Sequence, residues 1–74
     1  MLLREGTIVH YVIRGQDNEN PMVERPAIIT RVYSRDTRVV NLWVVPDVGE
    51  EASHRSSVEP DMGLQPATGT WHWA

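Results

Sequence analysis

The chain has 74 residues, a net charge of −3 and no cysteine. That length allows one domain, the missing thiols exclude disulfides and thiolate metal sites, and the acidic balance argues against a dedicated DNA or RNA binder, which carries a basic excess. A core this small leaves about 3–5 kcal/mol of net stability, so docking onto a larger body or self-association is the expected further support.

The opening Met1 to Gly6 lacks the basic and apolar blocks of a signal peptide. No apolar run approaches the ~20 residues that cross a bilayer, so a protein made and used in the cytoplasm is expected, with no membrane partner. Thr7 to Arg14 (TIVHYVIR), between Gly6 and Gly15, reads as a first strand, because β-branched side chains are stiff at χ1 and pack well on a pleated surface. Gly15 to Arg25 then reads as a long polar loop. Ala27 to Tyr33, entered through Pro26, is a second strand, and Ser34 to Thr37 (SRDT) is a tight turn. Arg38 to Val45 is a third strand closed by Pro46, antiparallel to the second.

Alternation assigns the faces. Val40, Leu42 and Val44 share one side of the third strand, and Val39, Asn41, Trp43 and Val45 the other. In the second strand Ile28, Thr30 and Val32 oppose Ala27, Ile29, Arg31 and Tyr33. Apolar groups on both sides point to a small barrel or an interface. Asp47 to Ser57 is acidic, then polar, and is expected to hold a helical turn around Glu50 to His54. A short fourth strand is expected at Ser57 to Glu59, ended by Pro60. Pro60 to Gly69 is turn-rich, and Thr70 to Trp73 is a fifth strand with Trp71 and Trp73 on one face and His72 on the other. The expected architecture is an all-β, antiparallel, five-stranded SH3-like barrel over residues 1–74 with a long first loop. An OB-type barrel competes, but it needs longer strands and a helix for which there is little room.

Signs of catalysis are weak. His10, His54 and His72 show no short ligand spacing and read as strand or loop histidines with one hydrogen-bonded nitrogen. Ser53, His54, Ser56, Ser57 and Asp61 carry the letters of a hydrolase triad but no nucleophile turn or oxyanion hole. The pairs Glu50–Glu51 and Glu59–Asp61 read as a solvated acidic face, not as acid–base dyads. No enzyme activity, metal or other cofactor is therefore expected. Partner-binding candidates are Arg31, Arg35 and Arg38 around the hairpin, with Tyr33 and Trp43 as stacking surface. Trp71 and Trp73 are a heavy apolar load that either closes the barrel against the first strand or anchors a partner.

The segments IVHYV (Ile8 to Val12), RPAII (Arg25 to Ile29) followed by Arg31, Val32 and Tyr33, VNL (Val40 to Leu42) and above all GTWHW (Gly69 to Trp73) resemble a group of short phage and prophage proteins with an SH3-like barrel. The likeness spans nearly the whole chain. Departures are Pro46 to Glu51, where such proteins often turn through Asp-Gly and Asn-Asp, and the stop at Ala74, where many continue with Pro and an acidic residue. The resemblance implies a phage context, a small barrel and no particular activity. The expected function is non-enzymatic docking on a viral capsid or other virion protein, as a decoration or cement protein. Alternatives are a host-directed or regulatory protein-binding module, and a single-stranded nucleic-acid binder using the three arginines.

Overall fold

A computed structural model describes residues 3–15, 19–61 and 67–74. Among the described residues, five strands form one antiparallel sheet: β1 (Ile8–Arg14), β2 (Val23–Ser34), β3 (Val39–Val44), β4 (Ser53–Val58) and β5 (Trp71–Trp73), in the order β4-β3-β2-β1-β5. The expected all-β, five-stranded antiparallel class is thus what the chain adopts. Parts of the expected first loop (16–18) and of the turn-rich stretch before β5 (62–66), like residues 1–2 of the opening, lie outside the described residues.

The alternation in β3 predicts its burial correctly. Val40, Leu42 and Val44 face a core completed by Leu3, Val9, Ala27, Ile29, Val58 and Trp71, with Tyr11, Val32 and Trp73 packed half-buried against it. The β2–β3 hairpin is closed by the Arg38 amide, which donates to the Ser34 carbonyl at 2.8 Å.

Three expectations are corrected. First, β2 begins at Val23 and runs straight through Pro26, so the expected first loop, Gly15 to Arg25, does not extend past Met22. A proline is tolerated there because its carbonyl accepts the Val45 amide (2.9 Å), just past the end of β3. The Pro26 nitrogen lies on that same side, so the only bond the proline cannot donate is the one at the very end of the β2–β3 ladder, beyond Val44.

Second, Arg31 and Tyr33 do not follow Ala27 and Ile29 inward. The β2–β3 register shifts between Ile29 and Arg31, and the irregularity at Thr30 reverses the alternation, as a bulge does. Val32 packs on the core, while Arg31 and Tyr33 are exposed.

Third, no helical turn forms at Glu50 to His54. Ser53–Val58 is β4, so the fourth strand starts four residues before the expected Ser57. Its sequence, SHRSSV, has no apolar period, and only Val58 is buried. Backbone pairing with β3 recruits it, through a shift at which Ser57 takes a left-handed φ of 54°.

The sheet curls so that its two edges meet at one place. Past β4, Pro60 forms an isolated bridge with Trp71 of β5. The Trp71 amide donates to the Glu59 carbonyl (3.1 Å), and the Asp61 amide donates to the Trp71 carbonyl (2.8 Å). On its other side β5 pairs with β1. Trp71, 1% exposed, is the joint.

Candidate functional site

The face of the sheet turned away from the core carries two features. One is apolar. Ile8 pairs with Ile28, Ile28 with Trp43, and Trp43 with His54, so four strands align four side chains in one row. Directly paired residues share a face, and none of the four is fully buried; Ile8 is 48% exposed. The His54 ring packs tilted against Trp43, with centroids 4.4 Å apart and planes at 59°. Asn41, two residues before Trp43, pairs with Arg31, and the Arg31 guanidinium lies over the Tyr33 ring at 4.8 Å, a cation–π contact.

The other feature is polar. His10 pairs with His72 across β1 and β5, and Val12 pairs with Glu24 across β1 and β2. The Glu24 carboxylate contacts both imidazoles, one with each oxygen. His10 Nδ1 is 2.9 Å from Oε1, and His72 Nε2 is 2.5 Å from Oε2. The two rings meet edge to face at 5.4 Å. The remaining His72 nitrogen, Nδ1, lies 3.0 Å from the Trp73 carbonyl oxygen. Burial pushes the Glu24 carboxyl up, but the His72 hydrogen bond, the fields of His72 and His10 and the His10 hydrogen bond outweigh it, leaving the group below its ordinary value.

The loop after β3 is held beneath this face by a fork. Arg25 donates from Nε to Glu50 Oε1 (2.8 Å) and from Nη2 to Glu50 Oε2 (2.7 Å). Its Nη1 donates to the Glu24 carbonyl oxygen (2.9 Å). Glu50 also accepts the Asp47 amide at 2.7 Å. The Arg25 hydrogen bonds and the Asp47 amide pull the Glu50 carboxyl down to about 2. Glu50 is therefore a structural anchor of this loop.

Of the partner-binding candidates, Arg31, Tyr33 and Trp43 come together on the outer face. Arg35 is exposed at the hairpin tip, and Arg38 is half-buried. Arg38 lines a pocket of about 380 Å³ with Asp36, Thr37, Val39, Glu59 and Pro60. Trp71 is a core residue, and Trp73 packs beside it with ring centroids 5.1 Å apart. Sequence reasoning missed Ile8 and Ile28 as surface residues, and Glu24 altogether. Their signal is the cross-strand register, which no local pattern carries.

No family model matches the chain, and comparison with curated proteins and with solved structures gives no match. Among the described residues, no helix is long and apolar enough to cross a membrane.

Proposed function

We propose that this protein works without making or breaking covalent bonds, by docking the outer face of its sheet onto a protein of a larger assembly, as a virion-associated decoration or cement protein. The observation that carries the reading is the row Ile8–Ile28–Trp43, flanked by the stacked Arg31–Tyr33 pair. A chain this small loses solubility when it exposes aligned apolar side chains, and aromatic and Arg side chains are what interface hot spots are made of. The likeness of the GTWHW segment and its companions to small phage proteins supplies the viral setting. The SH3-like barrel belongs to the same reading, supported by the Pro60–Trp71 bridge that brings the sheet edges together.

The test is biochemical. Intact particles of the phage encoding the chain are purified and their proteins counted by quantitative mass spectrometry. Stoichiometric presence is the expected result. Absence from particles, with capture of a single host protein instead, replaces the reading by a host-directed module. Salt-dependent retention on single-stranded DNA that is lost on replacing Arg31, Arg35 and Arg38 replaces it by a nucleic-acid binder.

A further inference from the structure

We infer that His10, Glu24 and His72 form a binding site for a divalent transition-metal ion of the zinc type. The site is independent of the docking reading.

Three neighbouring strands each contribute one side chain, and the potential ligand atoms all lie within 4.8 Å of one another. Tetrahedral zinc with bonds of about 2.0–2.1 Å needs donors roughly 3.3 Å apart. Small rotations of two imidazoles and one carboxylate cover the difference, while the β-ladder holds their backbones.

The proton arithmetic is more telling. A carbonyl oxygen only accepts, and so does an ionised carboxylate. His72 nevertheless directs Nδ1 at the Trp73 carbonyl and Nε2 at the Glu24 carboxylate. A neutral imidazole has one N–H, so it satisfies one of these contacts and leaves the other as two facing lone pairs. Either a second proton or a cation resolves the conflict.

The Trp73 carbonyl is the partner that fixes a metal-binding histidine: it takes the Nδ1 proton and leaves the Nε2 lone pair for a metal. His10 Nδ1 faces the other carboxylate oxygen, so one cation placed between them meets two nitrogens and an anionic oxygen. Two imidazoles with one carboxylate suit zinc, and by the usual affinity order also nickel and copper, better than calcium or magnesium. Val12, fully buried and directly opposite Glu24, forms an apolar wall beside the cluster. Three protein ligands leave a fourth position for water or an external donor.

The site was not legible from spacing because the ligands come from β1, β2 and β5, which only the fold brings together.

The experiment uses the whole chain, ¹⁵N-labelled and freed of metal with a chelator, titrated with ZnCl₂ at neutral pH. One zinc per chain is expected, with the His10 Nδ1 and His72 Nε2 resonances shifting and those of His54 unmoved. His10→Ala and His72→Ala each weaken binding at least tenfold in calorimetry, as loss of one ligand should. This readout on the unmodified chain stands even where a variant fails to fold. No saturable shift at either nitrogen, a shift confined to His54, or undiminished affinity in both folded variants overturns the assignment.

Discussion

The indole Nε1–H of Trp71 donates to the main-chain carbonyl of Arg38 at 3.0 Å, across 33 positions of sequence. Arg38 is one of two described non-glycine residues with a left-handed backbone, at φ 57°. Its carbonyl, at the end of the β2–β3 turn, thus meets the side chain of the residue whose backbone joins β5 to the segment past β4. The contact ties the hairpin to the closure.

Trp71→Phe keeps an aromatic ring but deletes this donor, leaving a half-buried carbonyl unpartnered and a gap in the core. The two effects together cost about 2–3 kcal/mol. Against the ~3–5 kcal/mol available to a core this small, the variant sits near its unfolding limit. The urea midpoint should fall by about 40% or more. Trp73→Phe, with its half-buried ring, should cost less than Trp71→Phe, and equal midpoints for the two would show that the Arg38 contact contributes nothing.

How much of this was legible in the sequence depends on the strand. β3 announces itself, because Val40, Leu42 and Val44 alternate with less buried residues and all three are core. β5 is readable too: two tryptophans on one face and a histidine on the other match what the sheet presents. β4 is not, since SHRSSV contains one apolar residue, and its strand geometry comes from the hydrogen-bonding edge of β3, not from its own side chains. The bulge at Thr30 is likewise invisible, and it decides whether Arg31 or Val32 faces the core. The candidate sites depend on register between strands, a long-range quantity, so a sequence reading groups Arg31, Arg35 and Arg38 with Tyr33 and Trp43 by nearness to one hairpin and passes over Ile8, Ile28 and Glu24.

Ser57 is the second left-handed position, at φ 54°, and lies where β4 carries one extra residue against β3. Its amide is fixed by Asn41 Oδ1 at 3.0 Å. A side chain at this φ costs about 1 kcal/mol that glycine avoids. Ser57→Gly should therefore raise stability by about 0.5–1 kcal/mol, read from the urea midpoint at unchanged m-value. A loss of stability would mean that the bulge does not need this backbone geometry.

The Arg25–Glu50 fork gives the fold an acid-sensitive element. Glu50 titrates at about 2 in the folded chain against an ordinary 4.5. Because the folded value is the lower one, the stabilisation is complete above the ordinary value and disappears as pH falls through about 2. Glu5 acts in the same direction: its own amide and that of Val32, which donates at 3.1 Å, hold its carboxyl low. Glu50→Gln should be less stable than the parent at neutral pH and approach it as pH falls between those limits, in urea titrations across that range. A gap that stays constant into acid would show that the fork does not couple to folding.

The outer face separates docking from folding. Ile8 is 48% exposed at one end of the apolar row, so Ile8→Arg removes little core and should change folding stability by no more than about 1 kcal/mol. Placed in an interface centred on Ile28 and Trp43, the same arginine buries an unpaired charge and should weaken association at least tenfold. Arg35→Ala, at the exposed hairpin tip away from the row, should do neither. The measurement is occupancy on purified particles by each variant, with circular dichroism confirming the fold. If Ile8→Arg binds like the parent, this row is not the docking surface, and the Trp43 ring packed against His54 serves only to cover the sheet.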